Sequence, residues 1–194
     1  KGEVSGDSHS FQGLKDGRYM LMLSDGMGSG EAARRESVAT VSLTENFFQA
    51  GFNDNVVFDT INRLLVLKGD EETFSTVDLC MLDLKTGDAS FTKIGAECSY
   101  VFAGSEVRTV TPGSPPIGII DEITPVSTRM TLSEGDMIVM MSDGVSSAIR
   151  TAEWFSEIPK ANAQETADAI LAKALSGGVP ADDMTVMVSR IVAG

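Results

Sequence analysis

The chain has 194 residues, of which 42% are hydrophobic and 22% charged, with 15 basic against 28 acidic side chains and a formal charge of −13. That is enough apolar material for a full core in one domain spanning residues 1–194, while the surplus of acid repels phosphate backbones and excludes nucleic acid as a partner. No run of about 18 apolar residues exists, so no membrane-spanning helix and no membrane contact are expected of the chain itself.

Lys1-Gly2-Glu3-Val4 begins without an initiator Met and reads as the start of a fragment of a longer protein. Ser5-Gly6-Asp7 follows as a first acidic motif. Tyr19-Met20-Leu21-Met22-Leu23 reads as a buried strand ending at Ser24, after which Asp25-Gly26 turns into a helix expected to open near Ser29. Glycine at 26 leaves the backbone carbonyl beside Asp25 open to a metal. Gly30 to Ala50 is rich in helix formers, stops at Gly51 and places Val38, Val41, Phe47 and Phe48 on an apolar face. Asp54 to Lys68 repeats that pattern with Val57, Ile61, Leu64 and Leu65, closing at Gly69.

A long β region comes next, with strands expected over Thr76–Leu84, Ala89–Ile94, Cys98–Phe102, Glu106–Val110, Val126–Leu132 and Met137–Ser142. Ser114-Pro115-Pro116 reads as a rigid loop between them. Met137-Ile138-Val139-Met140-Met141 delivers a second Ser-Asp-Gly, Ser142-Asp143-Gly144, at a strand end. Asn162 with Glu165 three later has the form of a capping box, and Ala167, Ile170, Leu171 and Ala174 continue that helix to Gly177. Asp182-Asp183 lies in a Gly/Pro loop before a last strand, Met184 to Val192. Strands grouped together, with helices paired early and single late, suggest antiparallel sheets covered by helices.

The chemistry lies in the acidic motifs. A lone strand-Asp-Gly step is usually only a turn, but two of them, with an early Gly-Asp and a late Asp-Asp-Met-Thr, point to converging carboxylates. Such groups repel one another unless a hard divalent cation such as Mg2+, Mn2+ or Ca2+ joins them. His9 reads as a surface or strand-edge residue and Asp78 as a hydrogen-bonding strand residue rather than a ligand. Cys80 and Cys98 lack metal-ligand spacing and read as small buried residues in a reducing compartment. The ten methionines read as core filler.

The ordered set Gly6-Asp7, Asp25-Gly26-Met27-Gly28, Asp143-Gly144 and Asp182-Asp183-Met184-Thr185 resembles the metal-dependent protein serine/threonine phosphatases of type 2C (PP2C, or PPM). Val4-Ser5-Gly6-Asp7-Ser8, Phe74-Ser75-Thr76-Val77-Asp78-Leu79, Pro116-Ile117-Gly118-Ile119 and Met140-Met141-Ser142-Asp143-Gly144 look, more narrowly, like the phosphatase domains of the stage II sporulation protein E family. The likeness covers nearly the whole chain, in order.

This resemblance implies an α+β fold, a four-layer α-β-β-α sandwich of two antiparallel sheets flanked by helices. It implies a protein serine/threonine phosphatase that hydrolyses phosphoserine or phosphothreonine by a metal-activated water, with a phosphorylated anti-anti-sigma factor as substrate and a role in sigma-factor activation. Two Mn2+ or Mg2+ ions are implied. Asp25 would bridge them, with Asp7 and the Gly26 carbonyl on the second ion and Asp143 and Asp183 on the first. Asp182 has no matching ligand role. The resemblance also implies a place at the cytoplasmic face, as the soluble part of a membrane protein, and dimers through regulatory segments outside this chain.

Three positions depart from the wider family. Met27 stands where many relatives have a histidine thought to protonate the leaving oxygen, and a thioether is no general acid. No arginine precedes Arg18 to grip the substrate phosphate, and Gly95-Ala96-Glu97 replaces a Gly-Asp step, which argues against a third ion. The first two favour an alternative, a pseudophosphatase that binds a phosphoprotein as a signalling module with weak or no hydrolysis.

Overall fold

The computed structural model describes residues 4–28, 30–67, 74–119, 125–149, 151–178 and 182–192. In chain order its elements are β1 (Asp7–Gly13), β2 (Arg18–Asp25), α1 (Gly30–Gln49), α2 (Asp54–Leu67), β3 (Val77–Asp83), β4 (Asp88–Ile94), β5 (Ser99–Ala103), β6 (Glu106–Val110), β7 (Val126–Thr131), β8 (Met137–Met141), α3 (Asp143–Ser146), a 3-10 helix (Ala152–Glu157), α4 (Ala163–Leu175) and β9 (Val186–Arg190). The expected opening at Ser29 and closing at Lys68 and Gly69 fall outside the described residues. Two compact units form, one from residues 1–96 and 112–130, the other from 97–111 and 131–194.

The first unit is a five-stranded sheet in the order β1-β2-β3-β4-β7 with α1 and α2 on one face. Its centre is buried without interruption from Met20 to Ser24 and from Val77 to Leu82, and apart from Ser24 and Asp78 these residues are apolar. Met20 and Met22 pack with Leu79 and Met81 against Val41, Phe48, Val57, Phe58, Ile61 and Leu65 of the helices. The helix faces differ from expectation at two places. Val38 is 41% exposed and Leu64 40%, because the buried stripes run through Ala33, Ser37, Thr40, Val41, Thr44 and Phe48 in α1 and through Val57, Phe58, Ile61, Asn62 and Leu65 in α2. At 3.6 residues per turn, Val38 and Leu64 fall just off those stripes.

Much of the buried face of α1 is hydroxyl, and it meets hydroxyls. Ser37 and Ser8 share a hydrogen bond of 2.8 Å, Thr40 and Ser75 one of 2.7 Å, and the Ser10 hydroxyl donates to Glu45. Polar contacts of this kind satisfy buried groups that would otherwise carry a desolvation penalty. They also explain why β1 was not evident as a strand: its buried positions are Asp7 and Ser10, while Phe11 is 45% exposed.

The second unit is a four-stranded antiparallel sheet in the order β6-β5-β8-β9. Tyr100, Phe102, Met137, Val139 and Met141 of the sheet pack with Val145, Phe155, Ile158, Ile170 and Ala174. Phe155, from the 3-10 helix, is the hub: its ring centroid lies 4.5 Å from Tyr100, 5.2 Å from Phe102 and 5.1 Å from Trp154. α4 starts where the capping signal places it, the Asn162 side chain accepting from the Glu165 N–H at 2.9 Å.

Candidate metal centre

In the first unit, register alone brings two acids together. β1 and β2 pair antiparallel with Asp7 directly opposite Asp25, so both side chains leave the same face of the sheet. Like charges directly opposite in a sheet are destabilising. Asp7 is buried and Asp25 half-buried, which sharpens the repulsion and suits an intervening cation. Around Asp25 the backbone is held from several sides. Its N–H donates to the Thr76 hydroxyl at 2.9 Å, the Thr76 N–H donates back to the Asp25 carbonyl at 2.9 Å, the Gly26 N–H donates to Gly6 and the Met27 N–H to Phe74.

Gly26 has a steric reason to be glycine beyond access to its carbonyl. A Cβ there would stand 1.9 Å from the Ala33 carbonyl oxygen, so α1 closes directly over the turn. Ser75 extends the bracing: it bridges to Gly26, exchanges two backbone hydrogen bonds with Ile117 and meets Thr40 of α1.

The second unit brings Asp143 and Asp183 to one place by a different device. Ser142 follows β8 at the N-cap position of α3 but makes no side-chain cap there; three of its hydrogen bonds reach instead the loop before β9. Its N–H donates to the Thr185 carbonyl at 3.0 Å, the Thr185 N–H donates to its hydroxyl at 2.9 Å, and that hydroxyl donates to the Asp183 carbonyl at 3.3 Å. Gly144 is again packed on a carbonyl: a Cβ would lie 2.1 Å from the Asp183 oxygen. Asp182 is exposed, and its carboxylate accepts the Asp183 N–H at 2.9 Å, steadying that residue.

Among the described residues no three His, Cys, Asp or Glu side chains gather into one metal-ready cluster; the first unit supplies Asp7 opposite Asp25, and the second supplies Asp143 and Asp183 on adjoining backbone. Each pair is all-oxygen and free of His and Cys, the donor chemistry that hard divalent cations prefer. The residues present therefore fit such an ion.

Other candidates lie apart from this chemistry. Arg18 is spent on a turn: its guanidinium holds Asp16 at 2.8 Å and its N–H donates to the same carboxylate, holding the Asp16 carboxyl below the usual range. Met27 is 47% exposed. His9 is exposed and meets Phe11 edge-on, the strand-edge position expected of it. Gly95, at φ +65°, lies under the Ser114-Pro115-Pro116 loop, where a Cβ would stand 2.4 Å from the Pro116 Cα. Asp78 is a strand residue with a partner the sequence reading did not assign, Lys93, 2.7 Å away. A hairpin folded about Leu84 to Gly87 pairs 78 with 93, so the register was the missed signal. Thr76 stood within the Phe74-Ser75-Thr76-Val77-Asp78-Leu79 likeness, but nothing in the sequence gave it a role at Asp25.

Residues 15–192 match the family described as Stage II sporulation protein E. The chain is 36% identical over 200 residues to stage II sporulation protein E of Priestia megaterium and, equally, to that of Bacillus subtilis, with 98% of this chain covered. It spans only 34% and 24% of the length of those two proteins. Among solved structures, the PP2C phosphatase domain with a fragment of the regulatory domain of the cell fate determinant SpoIIE from Bacillus subtilis superposes with a TM-score of 0.86 at 35% identity, over 97% of this chain and 58% of that one. The match extends through both sheets and their helices, bearing out the α+β class of two antiparallel sheets flanked by helices. On these grounds the chain belongs to the stage II sporulation protein E family and corresponds to its PP2C phosphatase domain.

Proposed function

We propose that this chain is a Mn2+- or Mg2+-dependent protein phosphatase acting on phosphoserine or phosphothreonine, and that residues 1–194 work as one catalytic domain. The observation that carries the reading is Asp7 opposite Asp25 at the end of β2, in a chain of this family. Asp25 would serve both of two ions, Asp7 and the Gly26 carbonyl one of them, and Asp143 and Asp183 the other. When bound, the cations supply an activated water and positive charge against the phosphoryl oxygens.

The chain's own work is positioning. Thr76 holds the Asp25 backbone, and Ser142 holds Asp183 beside α3. Met27 offers no proton to the leaving seryl oxygen, so water or an acid supplied otherwise would provide it, with modest turnover. The same residue favours the second reading, a pseudophosphatase that binds a phosphoprotein without cleaving it.

The substrate in this reading is a phosphorylated anti-anti-sigma factor, and the chain is the catalytic part of a larger membrane protein at its cytoplasmic face, dimerising through segments outside residues 1–194. The deciding experiment is phosphate release from a phosphoserine protein in Mn2+, with loss of release on chelation. Tight binding of that protein with no release in any divalent cation would leave the pseudophosphatase.

A further inference from the structure

Across the face of the first sheet that points away from α1 and α2, ionisable side chains stand on neighbouring strands. Asp7 is opposite Asp25 and Asp78 is opposite Lys93. Asp25 exchanges hydrogen bonds with Thr76, so Asp78, two residues further on the same face, is its diagonal neighbour, at about 7–8 Å by antiparallel geometry. The alternate positions, Ser8 and Met22, turn the other way toward the helices. Read across the strands, the face carries the acids Asp7, Asp25 and Asp78 and the buried base Lys93, with His9, exposed, two residues along β1 from Asp7.

The Lys93 ammonium lies 2.7 Å from Asp78 Oδ2, with the two side chains 1% and 2% exposed. A buried ion pair seldom stabilises a fold more than an apolar pair of the same volume would. Its place beside the Asp7–Asp25 row gives it another use. Without Lys93, a third carboxylate would add its charge to the two that meet a cation.

We propose that Lys93 and Asp78 form a positioning pair for the metal-ligating carboxylates, the ammonium neutralising Asp78 so that Asp7 and Asp25 alone set the charge a divalent cation meets on this sheet. The inference rests on the phosphatase reading above. A unit charge left uncompensated at about 7–8 Å changes the affinity for a divalent ion roughly ten-fold or more.

The test is calorimetric titration of the 194-residue chain with MnCl2 at mildly acidic pH, where a lysine keeps its proton. Asp78→Asn leaves the ammonium unbalanced and is expected to weaken Mn2+ binding roughly ten-fold or more. Exchanging the pair, Asp78→Lys with Lys93→Asp, keeps an ion pair between β3 and β4 but moves the cation one strand nearer Asp25. Melting in chelator should then return to the parental temperature while Mn2+ binding stays weak. A pair that only fastens β3 to β4 predicts the opposite, binding restored together with the fold. If the exchanged chain does not fold, Asp78→Asn decides alone, and a dissociation constant within about twofold of the parent overturns the inference. Asp25→Ala in the same series separates the two readings: loss of Mn2+ there with none in Asp78→Asn sinks only the pair, whereas a parent that binds no Mn2+ sinks the metal assignment itself.

Discussion

Two strands of this chain, β2 and β8, lead into the same three residues, Ser24-Asp25-Gly26 and Ser142-Asp143-Gly144, and the two units build different things from them. In both, the glycine is pressed against a carbonyl, that of Ala33 over Gly26 and that of Asp183 over Gly144. The serines diverge. Ser24 is fully buried and its hydroxyl has no hydrogen-bond partner among the described residues, whereas Ser142 makes three hydrogen bonds that tie Asp183 and Thr185 to the start of α3. Asp25 therefore gets its acidic neighbour from sheet register and Asp143 from a side-chain clamp. A shared tripeptide fixes where a carboxylate appears; what stands beside it is decided by segments far away in sequence.

The largest expected effect would show the two pairs serving one reaction. Asp25→Ala should abolish phosphate release and Asp143→Ala should lower it roughly several hundredfold, since each removes a ligand while the fold persists. Thermal melting with and without Mn2+ checks this, because an ion that binds only the folded chain raises its stability. An Asp25→Ala protein as active as the parent would refute the site.

Next come the glycines. Gly26→Ala and Gly144→Ala each drive a methyl into backbone that cannot yield cheaply, and each should cost on the order of 3 kcal/mol in denaturant unfolding. If either is tolerated within about 0.5 kcal/mol, the close approach it was meant to permit is not needed.

The serines sharpen the contrast further. Ser142→Ala leaves the Thr185 N–H without its acceptor and should cost about 1–3 kcal/mol, while Ser24→Ala removes a hydroxyl that gains nothing and should be neutral or slightly stabilising. Equal losses at both positions would erase the distinction.

The smallest effect is chemical. Burial, with the Asp78 charge adding to it against Lys93, pushes the Cys80 thiol far up, while Cys98 in the other unit is only half-buried. A thiol reagent should modify Cys98 faster as pH rises and leave Cys80 untouched until the chain unfolds, because the thiolate is the reactive form. Labelling of Cys80 in the native protein would contradict its burial.

Much of the fold was legible because its strands are buried on both faces and so read as unbroken apolar runs, as β2 and β8 do. α1 and α4 carried their own end signals, Gly51 and Asn162. β1 was not legible, since an edge strand that turns Asp7 and Ser10 inward and Phe11 outward inverts the usual pattern. α3 and the 3-10 helix are too short for periodicity to reveal. The acids of the site stood out through their Asp-Gly and Gly-Asp context, yet nothing local gave Thr76, Lys93 or Ser142 a role, since those roles exist only through cross-strand register and loop contacts.

The single tryptophan gives the molecule a built-in optical asymmetry. Trp154 lies in the second unit, stacked edge-on with Phe155 and covered by the Lys173 ammonium 4.8 Å from its ring centre, so its fluorescence reports the melting of that unit. Far-ultraviolet dichroism is weighted the other way, because α1 and α2 hold 20 and 14 helical residues against 4 and 13 in α3 and α4. A chain that works as one catalytic domain should lose both signals at the same denaturant concentration. Two separated midpoints would mean that the carboxylate pair of the unit melting first comes apart while the other remains built.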